Sequence, residues 1–400
     1  MPLLQRTFAL LWLGLLPATI GPCIAVAAEK PAAGHHVPMV GSVLWVYVGT
    51  YTKTPDAGIN FFQFDLASGR LTKPAVVAKT PNPSFLALHP RRPLLYAIGE
   101  VSDFGPDKTG VVSAYAIQPK TGQLVLLNQQ STGGAETSHV SVDHSGQVVL
   151  VSNYGGGCVA SLPIRPDGGL SPAATVDHHH GSSVHPTRQT RPLAHSIDVD
   201  PTNHFVLSAN LGTDKVMIYR LNAAQGTLTP HQPAFAETPR GAGPRHLAFH
   251  PNGRFVYVIN ELNGTISVCH FDSSRGSLEP VQNISTLPGD FSGENTTAEI
   301  QVHPSGRFLY GSNRGHDSIA IFAIDTETGK LRSLGHQSTL GKAPRNFALD
   351  RSGRYLLAAN QDTGSVVVFR VDPQTGLLQP TGASVAIPMP VCLVMTKPVG

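Results

Sequence analysis

The stretch GPRHLAFHPNGRFVYVINELNG, residues 243–264, decides the fold, because it describes one β-hairpin and recurs along the chain. Two short apolar runs flank the turn HPNG, as expected of two strands joined by a tight connection. Further copies begin and end at residues 83–100, 138–154, 194–211, 298–314 and 344–361. The chain is therefore built from a repeated hairpin.

A second motif, a turn with Gly followed two residues later by Leu, accompanies the hairpins. Its glycines are Gly69, Gly122, Gly168, Gly226, Gly276, Gly329 and Gly376, spaced by 46 to 58 residues. A period near fifty with several short strands in each unit is typical of a β-propeller, in which each repeat is a four-stranded blade. We predict an all-β, seven-bladed propeller.

One blade must be assembled from both ends of the chain. The segment VLWVYVGTYT, residues 43–52, has no preceding inner strand, and AIPMPVCLVMTKP, residues 386–398, has no continuation. Pairing the two would close the ring and remove an exposed sheet edge.

The first 28 residues predict a signal peptide. Arg6 precedes an apolar run from Phe8 to Ile20, and the small residues AVAA come directly before Glu29, which is the pattern of a cleaved export signal. The apolar run is shorter than the roughly 20 residues that span a bilayer. We expect residues 1–28 to be removed, 29–43 to form a flexible leader and 44–397 to form one propeller domain of a periplasmic or secreted protein, with no membrane span.

The net charge bears on nucleic-acid binding, the cysteines on disulfide formation and the histidines on metal binding. The formal charge is +3 and the basic residues are scattered, so we expect no nucleic-acid partner. After cleavage an odd number of cysteines remains, which favours burial as small apolar residues over a disulfide. They are Cys158, Cys269 and Cys392. The adjacent histidines His178 to His180 lack the spacing of metal ligands, and we expect no metal and no cofactor.

Positions that repeat around the ring are predicted to be structural. Ten residues after the start of each hairpin turn, five of the six copies carry Asn: Asn153, Asn210, Asn260, Asn313 and Asn360. An Asn side chain satisfies backbone groups where a strand ends. The turn histidines His89, His250 and His303 also recur, and we predict the same scaffold role for them.

Positions that differ between blades are the candidates for a site. They lie just before the first strand and just after the second strand of each hairpin, and antiparallel pairing brings both to the rim opposite the turn. The charged and histidine side chains there are Glu100, His139, His195, Arg245, His246, Glu261, Glu299, Arg314 and Arg345. Three arginines beside glutamates and histidines predict an anion-binding site with acid and base groups.

Salt bridges between neighbouring blades are the alternative interpretation of these residues. Two features favour a site instead: the charged groups cluster where the blades differ, and Arg245 and Arg314 flank the same Glu261 from adjacent repeats. Neutralising one glutamate does not require three arginines.

Five longer stretches resemble a known family. They are VYVGTYT (46–52), NYGGGCVA (153–160), RQTRPLAHSIDVDP (188–201), GAGPRHLAFHPNGRFVYVINEL (241–262) and SNRGHDSIAIF (312–322). These stretches resemble the seven-bladed β-propeller lactonase family, which includes bacterial 6-phosphogluconolactonases and a fungal carboxy-cis,cis-muconate cyclase. The resemblance implies an active site of His195, Arg245, Glu261 and Arg314, as proposed for the cyclase branch, and no metal. Leu193 departs from the family, whose members commonly have a histidine there.

The first functional hypothesis is hydrolysis of a sugar-acid lactone by water. Glu261 would be the general base, or would orient His195 as the base, while Arg245 and Arg314 bind the anionic group or the developing oxyanion. We expect the remaining rim residues to bind substrate: Glu100, His139, His246, Glu299 and Arg345. Because phosphorylated sugar lactones are cytosolic, the export signal favours an unphosphorylated lactone.

Two other hypotheses use the same residues. One is a cycloisomerase that closes a lactone from an unsaturated diacid. The other is a non-catalytic propeller that binds an anionic ligand or a partner protein, since fold alone does not establish activity. In each case we expect a monomer, and for the two enzymes a small lactone or an anionic sugar acid as ligand.

Overall fold

The computed structural model describes residues 43–54 and 57–399, and in these residues the chain forms β-strands joined by short turns. The predicted signal peptide and nearly all of the predicted leader lie outside them. In chain order the strands are β1 (Val43–Thr50), β2 (Gly58–Asp65), β3 (Ala75–Lys79), β4 (Leu86–Leu88), β5 (Leu94–Phe104), β6 (Thr109–Ile117), β7 (Leu124–Ser131), β8 (Thr137–Val142), β9 (Val148–Asn153), β10 (Cys158–Pro163), β11 (Thr175–His178), β12 (Ala194–Val199), β13 (Phe205–Asn210), β14 (Lys215–Asn222), β15 (Thr227–Glu237), β16 (Pro244–Phe249), β17 (Phe255–Asn260), β18 (Thr265–Asp272), β19 (Ser277–Ser285), β20 (Thr296–Val302), β21 (Phe308–Arg314), β22 (Ser318–Ile324), β23 (Leu331–Ser338), β24 (Pro344–Leu349), β25 (Tyr355–Asn360), β26 (Ser365–Val371), β27 (Leu378–Ala386) and β28 (Pro390–Thr396).

The strands form seven four-stranded antiparallel sheets, which are the blades. Six blades take four consecutive strands each, from β4–β7 through to β24–β27. The remaining blade has the order β28-β1-β2-β3, so its inner strand comes from the C-terminal segment and its other strands from the N-terminal segment. Tyr47 of β1 pairs with Val394 of β28. The predicted seven-bladed propeller and its closure by the two ends of the chain are confirmed.

The inner strands surround a central channel. Each of β28, β4, β8, β12, β16, β20 and β24 contacts the inner strand of the next blade, and the contact of β24 with β28 completes the ring. Both rims of this ring are therefore built from the ends of the repeated hairpins.

The hydrophobic core consists of layers between neighbouring blades. One cluster joins the first and last blades, where Phe62 and Leu357 are fully buried, and another packs Tyr257 and Phe322 between the fifth and sixth blades. Because the alternate faces of each sheet are covered by the two neighbouring blades, the scaffold is stabilised by every interface around the ring.

The repeated Gly motif joins adjacent blades. The hydroxyl of Tyr257 donates to the carbonyl of Gly329 at 3.1 Å, and Tyr310 donates to Gly376 at 2.8 Å. Both glycines have positive φ, 73° and 74°, a backbone conformation that favours glycine. The motif therefore marks a structural contact, one per blade junction where the tyrosine is present.

The repeated turn histidines also join blades. Nε2 of His250 donates to the carbonyl of Gly306 at 2.8 Å, and Nε2 of His303 donates to Gly353 at 2.9 Å. Nδ1 of His250 accepts from a backbone N–H of its own turn, which leaves Nε2 as the donor to the next blade. Their predicted scaffold role is confirmed.

The repeated asparagines are fully buried, and four of the five bind backbone groups, whereas Asn260 donates to the side chains of Thr265 and Ser267. Asn210 accepts from the N–H groups of Leu193 and Gly212 at 3.0 and 3.1 Å. Asn313 donates to the carbonyl of Thr286 at 2.8 Å. Both side chains are 0 % exposed, so the scaffold prediction for these positions is confirmed.

The cysteines are free and buried, as predicted: Cys158, Cys269 and Cys392. Within residues 43–54 and 57–399, the chain has no helix with the length and apolar character needed to cross a membrane.

Candidate active site

A β-bulge in three of the inner strands takes three of the predicted site residues out of the strand pairing near one rim. In β12 the pairing with β13 jumps from Ala194 to Ser196, which leaves His195 outside the ladder. The equivalent jumps in β16 and β24 leave Arg245 and Arg345 unpaired. A bulge bends the strand and re-aims the side chain of the extra residue. The positions whose residue types differ between blades therefore also lie where the strand pairing is irregular.

Glu261, directly after β17, binds three guanidinium groups. Its Oε2 lies 2.9 Å from Arg245 Nε and 3.1 Å from Arg314 Nη2, and its Oε1 lies 2.7 Å from Arg188 Nη2. The Glu261 side chain is only 6 % exposed. One carboxylate therefore holds together arginines from two neighbouring blades and from the long loop that precedes β12.

The arginines keep Glu261 ionised. Burial opposes the charged form, but the charges of Arg314, Arg245 and Arg188 outweigh it and lower the pKa of Glu261 to about 2. A carboxylate this acidic is a poor general base near neutral pH. The sequence left two roles open for Glu261, general base or orientation of His195 as the base, and the low pKa argues against the first.

Arg188 was missed by the sequence analysis. It lies on the loop between β11 and β12, outside the repeated hairpins, and the length of a loop gives no indication of where one of its side chains ends. The sequence of residues 174–192 favours a polar loop throughout, whereas the structure places β11 at its start. Arg188 Nη2 also donates to the hydroxyl of Tyr154 at 3.2 Å. Although partial burial disfavours its charge, Glu261 raises the pKa of Arg188. The available signal was the stretch RQTRP, which directly precedes the strand that carries His195.

Arg245 connects the rim to the channel. Its Nη1 donates to the carbonyl of Ala298 at 2.8 Å and to Nε2 of His246 at 3.0 Å. Because a guanidinium only donates, His246 carries its proton on Nδ1 and donates it to Glu299 Oε2 at 3.1 Å. Burial, followed by Arg314 and Arg345, lowers the pKa of Arg245 to about 9, which leaves it charged at neutral pH.

His195 is a neutral imidazole beside the carboxylate. Its Nε2 lies 3.9 Å from Glu261 Oε2, longer than a direct hydrogen bond, and its Nδ1 is buried with no hydrogen-bond partner among the described residues. Burial, and then the charge of Arg245, hold the pKa of His195 well below its usual range. The side chain therefore has an unprotonated nitrogen available at neutral pH.

The predicted rim residues His139, His246 and Glu299 lie deeper than expected. Their side chains line a cavity of about 500 Å³ in the channel, together with Asp198. They are the residues that follow the bulge position, and successive residues of a strand point to opposite sides. Arg245 and Glu261 are not among the residues that line this cavity, but Arg245 links it to the arginine cluster through the hydrogen bond to His246.

Two carboxyl groups in this cavity have raised pKa values. Burial raises the pKa of Glu299 to about 7, against the opposing charge of Arg245. Burial and the neighbouring Glu299 raise the pKa of Asp198 to about 8. The channel carboxyls thus take up protons near neutral pH, whereas Glu261 does not.

Glu100 and Arg345 meet on the rim through Tyr51. Arg345 Nη2 donates to the Tyr51 hydroxyl at 2.8 Å, and that hydroxyl donates to Glu100 Oε2 at 2.9 Å. Ser84 also donates to Glu100, at 2.5 Å. The structure brings these two predicted residues together, but as a group beside the Glu261 cluster.

The rim combines salt bridges with an excess of positive charge. The predicted alternative of salt bridges between blades is partly realised, because Glu261 pairs with arginines from other blades. In the two groups formed around Glu261 and Glu100, however, four guanidinium groups accompany two carboxylates. Such an arrangement attracts an anion and stabilises negative charge that develops during a reaction.

Of the three adjacent histidines, His179 is bound into the scaffold, whereas His178 and His180 are exposed. His179 is buried, with Nε2 2.7 Å from the Tyr219 hydroxyl and Nδ1 2.7 Å from Asn210 Nδ2. Throughout the described ranges, no three His, Cys, Asp or Glu side chains are placed to hold a metal ion.

Comparison with known families gives a match over almost the whole propeller. The family described as a lactonase with a seven-bladed β-propeller matches residues 45–395. A 6-phosphogluconolactonase of Bacillus subtilis is 37 % identical over 305 residues, which cover 76 % of this chain and 84 % of the relative. A 6-phosphogluconolactonase of Formosa agariphila is 34 % identical over 309 residues, covering 76 % and 86 %.

A solved structure agrees with the sequence comparison. The periplasmic gluconolactonase of Pseudomonas aeruginosa superposes with a TM-score of 0.83 at 36 % identity, covering 90 % of this chain and 100 % of its own. The likeness extends over the blades that carry His195, Arg245, Glu261 and Arg314.

Proposed function

Because this chain belongs to the lactonase family of seven-bladed β-propellers, we propose that it hydrolyses the lactone of a sugar acid, and that its substrate is unphosphorylated. The observation that carries the proposal is the cluster in which Glu261 holds Arg188, Arg245 and Arg314 beside neutral His195. The gluconolactonase of Pseudomonas aeruginosa, which is periplasmic, supports an unphosphorylated substrate.

In this proposal the arginines bind the carbonyl oxygen of the lactone. Arg245 and Arg314 both face Oε2 of Glu261, and their remaining N–H groups stabilise the oxyanion that forms when water adds to the carbonyl carbon. Loss of one such donor costs about 100-fold to 1,000-fold in rate. Glu261 fixes the two guanidinium groups so that they need no reorganisation during the reaction.

His195 takes the proton in this scheme. The attacking water gives one proton to the unprotonated imidazole as its oxygen bonds to the carbonyl carbon. The imidazolium, 3.9 Å from Glu261 Oε2, is stabilised by that carboxylate and then returns the proton to the ring oxygen as the C–O bond breaks. The product is a hydroxy acid, which ionises and releases one proton to solvent.

The test is proton release from glucono-δ-lactone in weak buffer. We expect the mature protein to accelerate acid formation above the spontaneous rate, and product analysis to show gluconate. Formation of a lactone from an unsaturated diacid would instead support a cycloisomerase. Binding of gluconate without any acceleration would support a non-catalytic propeller and overturn the proposal.

Export is part of the proposal and rests on the first 28 residues of the sequence. We expect the mature chain to begin near Ala28 or Glu29, and N-terminal sequencing of exported protein measures this. An acylated Cys23 on the exported protein would contradict a soluble mature form.

A further inference from the structure

We infer that Arg188 selects the substrate by the group that the lactone carries outside its ring, and that it favours an exocyclic carboxylate. The inference rests on the hydrolytic function proposed above and names the substrate class as lactones of sugar diacids. It follows from three observations. Arg188 binds a different oxygen of Glu261 from the reacting groups, some of its N–H donors are unused, and its loop is held in place.

Arg188 lies on the opposite side of the Glu261 carboxylate from the reacting groups. Arg245, Arg314 and His195 all face Oε2, at 2.9, 3.1 and 3.9 Å. Arg188 alone among these residues binds Oε1, at 2.7 Å. In the proposed function Arg245 and Arg314, which bind Oε2, hold the lactone carbonyl. Arg188 is therefore left to bind a different part of the substrate.

Arg188 has donors to spare and is open to solvent. Its side chain is 37 % exposed, compared with 3 % for Arg245 and 15 % for Arg314. Within the described ranges the hydrogen bonds of its guanidinium group use only Nη2, which donates to Glu261 and Tyr154. Nε and Nη1 remain for a ligand. They lie on different edges of the planar group, so each can donate one charged hydrogen bond to a carboxylate.

The loop that carries Arg188 is fixed in place. Gln189 is fully buried and donates to Asp214 Oδ1 at 2.6 Å, and Ser183 donates to Asp214 Oδ2 at 2.5 Å. Asp214 also accepts from the N–H groups of Gly241 and Gly243, at 2.6 and 2.7 Å. These glycines directly precede the strand of Arg245. The loop and the rim are thus tied together, and Arg188 is positioned without its ligand.

A matched pair of substrates tests the inference. D-glucono-1,4-lactone and D-glucaro-1,4-lactone share the ring, the exocyclic C5 and the stereochemistry, and differ only at the terminal C6, which is a hydroxymethyl group in the first and a carboxylate in the second. We expect the wild type to have the higher kcat/KM for the glucaro-lactone. Arg188→Gln should lower this preference by roughly 10-fold to 100-fold, the effect of losing charged hydrogen bonds.

The matched control is Arg191→Gln. Arg191 is an exposed arginine on the same loop that donates to the backbone carbonyl of Gly155. We expect this variant to keep the wild-type ratio of the two kcat/KM values. Equal losses for both lactones in Arg188→Gln would mean that Arg188 acts only through Glu261, and would overturn the inference.

Titration calorimetry with glucarate and gluconate separates this inference from the proposed function. We expect the wild type to bind glucarate more tightly and Arg188→Gln to lose the difference. An Arg188-dependent preference for glucarate without opening of any lactone would overturn the proposed hydrolysis and leave the role of Arg188 in place. Equal binding of the two acids by wild type would overturn the role of Arg188.

Discussion

The two ends of the repeated hairpin are built on opposite principles. At the turn end, His250 and His303 make the same bond to the carbonyl of a glycine in the next blade. At the open end, the equivalent positions carry His195, Arg245 and Arg345, and no two make the same contacts. Repetition marks a stabilising contact, and deviation from the repeat marks the candidate site.

The contrast is sharpest between two adjacent residues. Asn260 is fully buried and donates to the side chains of Thr265 and Ser267 within its own blade. Glu261, the next residue, gathers arginines from three parts of the chain. At the end of β17, a repeated structural residue is therefore followed directly by a residue of the candidate site.

The largest expected effect comes from Glu261→Gln. The substitution keeps the size of the side chain but leaves three guanidinium groups without their shared carboxylate, so the oxyanion donors lose their positions. Misplacement of this kind costs about 100-fold in rate. We expect kcat per folded molecule in the lactone assay to fall by about 100-fold or more. The melting temperature should fall as well, since a buried ion-pair partner is lost.

Glu261→Ala with added formate separates electrostatic loss from misfolding, because the shorter side chain leaves room for a free anion and Gln does not. We expect formate to raise the melting temperature of Glu261→Ala by more than it raises that of the wild type. Wild-type turnover in Glu261→Gln would show that the cluster is a structural salt bridge only.

Asn210→Ala should have the reverse profile. The side chain accepts from two backbone N–H groups and contacts His179, and leaving buried groups unsatisfied costs about 1 to 3 kcal/mol. We expect chemical denaturation to show a loss of about 2 kcal/mol, with turnover per folded molecule intact. A collapse of activity with unchanged stability would show that the repeated asparagines belong to the site.

The smallest expected effect concerns the channel carboxyls. The raised pKa values of Glu299, about 7, and Asp198, about 8, mean that the folded protein holds protons that the unfolded chain releases. Stability from this source is complete below about pH 4 and falls as the pH rises through 8. Asp198→Asn removes one such group. We expect it to melt about 2 °C or more above the wild type at pH 8, and at the same temperature at pH 4.

Comparing the melting temperatures at pH 8 and pH 4 distinguishes the titration of Asp198 from other effects of the substitution. An equal shift at both pH values would indicate a packing effect of the substitution and contradict the raised pKa of Asp198. Lactone turnover should be unaffected, because Asp198 lies in the cavity and not among the residues around Glu261.

The fold was predictable because the same sequence pattern recurs from blade to blade, so that several copies support one prediction. The hairpin copies and the glycine spacing indicated seven blades, and the unmatched ends indicated the closure. Comparing copies also separated Asn260 from Glu261, and it found His195, Arg245 and Arg314, which the structure brings together.

Two features of the site were not predictable from position alone. His139, His246 and Glu299 lie in the channel, because the bulge directs the residue before them to the rim and leaves them facing inward. Arg188 belongs to a loop outside the repeat, so no comparison of blades reports on it. Its position depends on the buried contacts of Gln189 and Asp214, which join segments about 25 residues apart in sequence.

The most direct test of the account compares two arginines of a single hairpin. Arg314 lies at the open end, 3.1 Å from Glu261, and Arg307 lies in the turn, where it donates to the carbonyl of Pro373. The measurement is the initial rate of acid release from glucono-δ-lactone by Arg314→Gln and Arg307→Gln at equal concentrations of folded protein. We expect Arg314→Gln to lose about 100-fold or more of the enzymatic rate and Arg307→Gln to match the wild type. Equal rates for the two variants would contradict the assignment of chemistry to the open end of the hairpins.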